Sequence, residues 1–307
     1  MKVLVTGGTG FLGKSVIDVL NKHSIDFVSV GSKNADLTSF VDTYNLLNHH
    51  QPEIVVHLAA VVGGIGANRD NPGSFFYKNI MMGLNIIESC RLLHVPKIVQ
   101  IGTVCSYPKH TDVPFKEESL WDGYPEETNA PYGIAKKSLF VMLQAYREQY
   151  GLNSICLLPS NLYGPNDNFD DGSSHVIPAL IKKFIWAKQN KAPKVSVWGT
   201  GAATREFLYV SDAADAIINS LYINTDEPAI NLGGGGEISI RNLAERVGDV
   251  VGYDGEIEWD VSKPDGQPRR CLDSSKAYSI LNWRPRVSFD QGLKQTIDWY
   301  VSSFKGS

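Results

Sequence analysis

Short apolar runs alternate with amphipathic stretches through the first half of the chain. "KVLVT" is β-branched and stops at glycines, after which "FLGKSVIDVLNKH" places its apolar residues at helical spacing. "DFVSV", "EIVVHLA", "KIVQI" and "NSICLLP" repeat the strand pattern, and they read as apolar throughout. That signature predicts parallel strands covered on both faces. Between them the spacing predicts a long helix from Pro72 to His94, carrying Asn79, Leu84, Ile87 and Leu92, and another from Tyr132 that Gly151 closes.

After about residue 160 the rhythm changes. "NLYGPNDNFDDGSSH" is polar, glycine-bearing and spotted with aromatics, which reads as a functional loop. "VIPALIKKFIWAKQ" predicts a helix, "KVSVWG" a strand, "SDAADAIINSLYI" a helix beginning beside a good capping residue, and "AINLG" a strand. "SIRNLAERVGDVVG", "SSKAYSIL" and "FDQGLKQTIDWYVSSF" read as further helices and "GEIEWD" as a strand, while "GGGG" at 233–236 reads as a tight turn at a strand end. The second half thus supplies both sheet elements and a smaller lobe, so the boundary near 160 is not a clean cut.

Gly7, Gly10 and Gly13 form G-x-x-G-x-x-G between the first strand and the first helix. There the glycines serve a tight turn, backbone approach to a pyrophosphate and close helix–sheet packing, with the helix N-terminus facing the phosphates. The expected fold is therefore α/β: a Rossmann-type doubly wound parallel sheet with a smaller C-terminal α/β lobe. After the second strand, Ser32 and Lys33 occupy the expected ribose region and the acid, Asp36, comes later. A lysine and a hydroxyl there favour the extra phosphate of NADP over NAD. Phe11, Leu12, Leu37 and Ala59 complete the expected cofactor set.

Tyr132 and Lys136 stand four apart on a predicted helix, hence on one face. An ammonium favours the phenolate of a neighbouring tyrosine, which fits the phenol for acid–base work. With Thr103 just after the preceding strand, they form a coherent hydride-transfer set: Thr103 orients a carbonyl, Tyr132 protonates its oxygen, and Lys136 holds the nicotinamide ribose while tuning Tyr132.

Composition narrows the remaining classes. The 307 residues suffice for a large core, and 29 basic against 33 acidic residues give a formal charge of −4, so no polyanionic partner is indicated. The basic run "IKKFIWAKQNKAPK" stands alone, against a nucleic-acid partner. Cys90, Cys105, Cys156 and Cys271 form no CxxC pair, which argues against a zinc knuckle or disulfide framework, and no metal site is expected. No apolar stretch approaches the roughly 20 residues of a membrane span, so a soluble cytoplasmic protein is expected.

The segments "TGGTGFLG", "HLAAVVGGIGAN", "CSYPK", "PYGIAKK", "NLYGPNDNF", "SHVIPALIKKF", "VWGTG", "REFLYVSDAA" and "KPDGQPRRCLD" together resemble the extended short-chain dehydrogenase/reductase family over nearly the whole chain. Within it they are similar to the bifunctional NADPH-dependent epimerase/reductases of GDP-linked 4-keto-6-deoxy sugars. The resemblance implies that residues 1–160 mainly bind NADP(H) and 161–307 mainly bind the GDP-sugar, with some segments returning to the first domain. It implies Thr103, Tyr132 and Lys136 for reduction, and Cys105 and His175 as the proton shuttles of epimerisation at C3 and C5. It also implies Asn161, Lys183, Trp198, Arg205, Lys263 and Arg269 around the nucleotide sugar, and a homodimer through the helices at 72–94 and 132–150.

Some positions depart from the family pattern. Lys183 replaces an arginine, retaining charge but not a bidentate grip. "GTVC" leads into the cysteine, Ser106 follows it, and Asn166 stands for a histidine, which points to a changed pocket edge. Val104 and Cys105 offer no carboxylate for a 4,6-dehydratase. Two rivals stay open: another GDP-4-keto sugar, with a seven-carbon or 3,6-dideoxy skeleton, and a non-catalytic dinucleotide sensor.

Overall fold

The computed structural model describes residues 1–263 and 265–304; Pro264 of the "KPDGQPRRCLD" segment and the last three residues lie outside the described residues. The first half runs β1 (Lys2–Thr6), α1 (Phe11–Lys22), β2 (Asp26–Val30), α2 (Phe40–His50), β3 (Ile54–His57), α3 (Ile65–Asp70), α4 (Pro72–Leu92), β4 (Lys97–Ile101), α5 (Ala130–Tyr150) and β5 (Asn153–Pro159). The second runs β6 (Asn161–Tyr163), α6 (Val176–Gln189), β7 (Lys194–Trp198), β8 (Thr204–Tyr209), α7 (Val210–Ser220), β9 (Ile230–Leu232), β10 (Glu237–Ser239), α8 (Ile240–Val251), β11 (Glu256–Asp260), α9 (Ser275–Leu281) and α10 (Phe289–Phe304).

Six strands in the order β2-β1-β3-β4-β5-β9 form one sheet, every neighbouring pair parallel. The apolar strands predict this arrangement because both sheet faces are covered. Leu4, Val55, Ile98 and Cys156 pack with Leu47 of α2, Ile86 of α4 and Leu139 of α5. On the opposite face, Val5, Val56, Val99 and Leu157 meet Val16 of α1 and Ile217 of α7. Strand order reverses between β1 and β3, which opens the crevice where doubly wound sheets bind ligands.

The smaller lobe carries the sheets β10-β8-β6 and β11-β7 around a third core with Ile181, Phe184, Phe207 and Val247. Between them the chain returns to the large sheet through α7 and β9, as the mixed pattern after residue 160 predicts. Gly151 ends α5 in the left-handed conformation at φ +69°.

Three local expectations are corrected. The helix α2 and the strand β8 stand where the sequence pattern was assigned no element. The "NLY" of the polar loop forms β6, paired parallel to β8. No side chain caps α7, which starts a residue early after Tyr209, and its first turn holds Asp212. The buried Asp212 carboxylate accepts the backbone N–H groups of Arg286 and Val287 at 3.1 and 3.0 Å, tying the approach to α10 against the large sheet. Among the described residues, no helix is long and apolar enough to cross a membrane.

Candidate active site

A single cleft of about 1130 Å³ runs from the C-terminal ends of β1, β2 and β3 to the inner face of the smaller lobe. At its first end the chain turns tightly from β1 into α1. Gly7 sits at φ +70°, and a Cβ there would meet Ala59 N at 2.8 Å. A Cβ on Gly13 would meet the Gly7 carbonyl at 2.2 Å, so the helix could not approach the strand with any side chain at that position. No acidic residue occupies the first turn of α1, leaving its N–H groups and positive end open to phosphate. The turn thus fits a dinucleotide pyrophosphate.

The adenosine end is less as expected. Ser32, Asp36 and Leu37 line the cleft, as do Phe11, Leu12 and Ala59, but Lys33 is exposed and off its lining. Lys78 of α4 lines this end instead. Asp36 accepts the Thr38 hydroxyl and N–H at 2.7 and 2.9 Å, which holds its carboxyl below the usual range, with Lys78 adding to the effect.

Thr103, Cys105, Tyr132, Lys136 and His175 all line the middle of this cleft. Thr103 begins a one-turn 3₁₀ helix, Val104–Ser106, and its hydroxyl accepts the Cys105 N–H at 3.2 Å. That turn lies directly on α5. A Cβ on Gly133 would strike the Cys105 carbonyl at 2.2 Å, so the glycine beside Tyr132 is what lets the cysteine turn and the tyrosine helix touch. Burial pushes the Tyr132 phenol up, Cys105 pushes it further, and a hydrogen bond with Thr103 opposes both. The phenol therefore holds its proton until a partner requires it. Lys136 is 2% exposed and burial pushes its ammonium down to about 8. Beneath it, His57 and Thr6 share a 2.8 Å hydrogen bond, and burial with the Lys136 charge holds His57 neutral, down to about 3.

His175 is the N-cap residue of α6. Its exposed surface faces into the cleft, where the surrounding protein and then the Arg270 charge hold its imidazole below the ordinary value. Asn161, Lys183, Trp198 and Arg205 line the far end. Asn161 is oriented by a 2.8 Å bond from its amide to the Glu206 carbonyl, and Lys183 by a 3.0 Å bond to the Ser196 carbonyl. Arg205 donates to the carbonyls of Thr204, Gln267 and Asp265 at 2.7, 2.6 and 3.1 Å, and burial pulls its guanidinium down to about 10. Lys263 is off the lining but sits 5.4 Å over the Trp198 ring.

Three further residues singled out from the resemblance lie off the cleft lining. Arg269 does not face the cleft but forks onto Glu237 on the outer surface. Arg270 faces it instead, 7% exposed, with Nη1 3.8 Å from Cys105 Sγ. Neither Ser106 nor Asn166 edges the pocket: Ser106 is buried with its hydroxyl on the Gly133 carbonyl, and Asn166, at φ +69°, accepts from Lys14.

The segment carrying Arg270 is fixed by residues that sequence reasoning missed. Glu206 of β8 is buried and accepts the N–H groups of Leu272 and Gly235 at 2.9 and 3.1 Å, with those of Gly234 and Gly236 completing the set. The "GGGG" turn is thus a backbone cradle for an internal carboxylate. Phe115 from the large domain exchanges backbone bonds with Cys271 and Asp273 of the same segment. Among the described residues, no group of three or more His, Cys, Asp and Glu is placed to hold a metal ion.

Such a glycine-turn cleft, with threonine, tyrosine and lysine at its centre, fits a dinucleotide-dependent oxidoreductase or epimerase class. The sequence profile of the NAD dependent epimerase/dehydratase family matches residues 3–233, and the chain belongs to that family. It is 42% identical to GDP-L-fucose synthase 1 of Arabidopsis thaliana over 98% of this chain and 94% of that one. A GDP-L-fucose synthetase from Naegleria fowleri bound to NADP superposes with a TM-score of 0.89 at 31% identity, covering 100% of this chain and 95% of that one. A GDP-6-OMe-4-keto-L-xylo-heptose reductase from C. jejuni superposes with a TM-score of 0.92 at 30% identity, covering 98% of both chains.

Proposed function

We propose that the chain is an NADPH-dependent epimerase/reductase that converts GDP-4-keto-6-deoxy-D-mannose to GDP-L-fucose. The observation that carries this reading is the convergence of Thr103, Cys105, Tyr132, Lys136 and His175 on the one cleft that the glycine turn enters, in a chain 42% identical over 98% of its length to a GDP-L-fucose synthase. Residues up to about 160 hold NADP(H), with Gly7, Gly10 and Gly13 at the pyrophosphate. Residues from 161 on select the GDP-sugar through Asn161, Lys183, Trp198 and Arg205, and segments such as β9 return to the large sheet.

A 4-keto group acidifies the protons on C3 and C5. Cys105 Sγ removes a proton there, the C–H electron pair passing into the enolate, and His175 returns a proton from the opposite face. Burial and then the Arg270 charge lower the His175 imidazole from its ordinary value, and the proton it gives up is replaced from solvent. Bound NADPH supplies the two-electron reduction of C4. Thr103 orients the ketone, Tyr132 gives its proton to O4, and the Lys136 ammonium supports the resulting phenolate and grips the nicotinamide ribose.

A homodimer belongs to the same reading, supported by Phe76, Tyr77 and Leu92 of α4 and Val141 and Tyr150 of α5, which expose aromatic and aliphatic surface on two helices packed together. Light scattering at micromolar concentration tests it. The superposition on a heptose reductase favours a second reading, in which another GDP-4-keto sugar is reduced with full or partial epimerisation. Incubation of candidate GDP-4-keto sugars with NADPH in deuterated water, followed by NMR of the products, separates the two. Deuterium at both C3 and C5 of a fucose product supports the first reading; turnover of heptose alone overturns it.

A further inference from the structure

We propose that the Arg270 guanidinium is the counter-charge that Cys105 uses when it removes a proton, and that Gln267 is the residue that aims it. The inference deepens the proposed function and rests on it. Arg270 is buried, and no carboxylate forms an ion pair with it among the described residues. A buried cation without an anionic partner is costly unless something negative arrives. Its Nη1 lies 3.8 Å from the Cys105 sulfur, and its Nε donates to Gln267 Oε1 at 3.1 Å. Gln267, 5% exposed, turns its amide to the Lys109 carbonyl at 2.9 Å, so the glutamine ties the arginine to the loop just beyond Cys105.

The other charged or titratable groups around this cysteine are Tyr132 from α5 and Arg205 from β8, with His175 across the cleft at the head of α6. Asp265 and Glu126 act on Arg205, and Arg270 disfavours charge on both Arg205 and His175. When Cys105 acts as base, the sugar C–H bond breaks, an S–H bond forms, and the electron pair enters the enolate. The negative charge leaves sulfur in that step, and the guanidinium stands where it favours the thiolate beforehand. Arg270 therefore acts through Cys105 as a positioning residue. An anchor for the GDP diphosphate is the alternative use of the same charge.

Alkylation of Cys105 by iodoacetamide, followed across pH by peptide mass spectrometry, separates these uses when paired with GDP binding and melting curves. In Arg270→Gln the rate at pH 7 is expected to fall about tenfold and to recover as pH rises, while Arg270→Lys keeps most of it. Gln267→Leu is expected to fall in the same direction by a smaller factor. An alkylation profile that overlays wild type in folded Arg270→Gln overturns the proposal, as does loss of GDP binding with alkylation unchanged. Should Arg270→Gln not fold, an unchanged profile in Gln267→Leu overturns it. A wild-type enzyme that turns over no GDP-4-keto sugar defeats the proposed function instead, since the alkylation comparison does not depend on turnover.

Discussion

Two buried lysines at opposite ends of the large sheet carry the same ammonium under very different terms. Lys97 opens β4 at the N-terminal edge and is 4% exposed; Lys136 lies on α5 over the C-terminal edge and is 2% exposed. Burial pulls each down to about 8. Lys97 Nζ donates to the carbonyls of Ser220, Leu221 and Ile223 at the C-terminal end of α7, where the helix dipole also favours a cation. Among the described residues, Lys136 has no such set and no carboxylate bears on its charge. One ammonium is consumed in closing a helix end, and the other is held in reserve over the cleft. Depth of burial alone does not distinguish structural from reactive groups; the bonding left unfilled does.

The largest effect that could break this comparison is on turnover. Lys136→Met is expected to lower NADPH-dependent reduction by about 100- to 10,000-fold, the range of a positioned acid–base group. Its melting temperature should rise at pH 7. The lowering from 10.5 to about 8 corresponds to about 3 kcal/mol against the charged folded state. The unfolded chain binds this proton first as pH falls from 10.5, so the cost is complete below about 8 and absent above 10.5. The gain in Lys136→Met should shrink accordingly as pH rises. Lys97→Met should keep turnover and show no comparable gain, because the relief of its own lowered ammonium is offset by on the order of 1–3 kcal/mol as buried carbonyls lose their donor. Equal loss of activity in both variants, read from steady-state rates and calorimetry, would remove the distinction.

A smaller, sharper effect lies in the coupling of Lys136 to Tyr132. Tyr132→Phe keeps the ring's packing but removes the proton donor, so it should abolish most reduction with NADPH binding largely intact. If Lys136 acts through that phenol, the double variant should lose far less than the product of the single losses. In wild type, kcat/KM should fall as pH rises through about 8, where Lys136 loses its charge. Lys136→Arg, charged throughout, should be slower but lack that limb. Multiplicative losses, or an unshifted limb in the arginine variant, would detach the lysine from the proton donor.

What the sequence shows of this site follows from how side chains are aimed. Tyr132 and Lys136 were legible because four residues on a helix return to one face, and the glycine turn because each glycine has a steric reason. The strands were legible because a doubly covered sheet tolerates apolar residues at every position. Arg269 and Arg270 were not separable, since neighbours in extended backbone point oppositely and only register says which points inward. That register is set by bonds of Thr204 N–H to the Pro268 carbonyl and Glu206 N–H to the Arg270 carbonyl, between segments more than 60 residues apart in sequence. The strand β8 itself was hidden because "TREFLY" shows neither clean alternation nor a continuous apolar run. Lys97 reads as an ordinary strand-edge lysine until α7 is laid against it.

A third lysine extends the comparison to the exposed limit and carries the smallest expected effect. Lys33 was assigned the extra phosphate of NADPH, yet it stands exposed and off the cleft lining, whereas Ser32 and Lys78 line that end. An exposed ammonium acts through solvent and is screened by salt over about 10 Å at 0.1 M. Lys33→Ala should therefore reduce the kcat/KM preference for NADPH over NADH by less than about tenfold, and by less still at high salt. Lys78→Ala should reduce it more, because the same substitution also leaves Asp36, which Lys78 partly neutralises, to repel the phosphate. Both lysines are far from Tyr132 in sequence and chemistry, so maximal rates at saturating NADPH should hold. A loss of about 100-fold in preference from Lys33→Ala, with Lys78→Ala near wild type, would reverse the order and return the phosphate to the residue that the sequence pattern named.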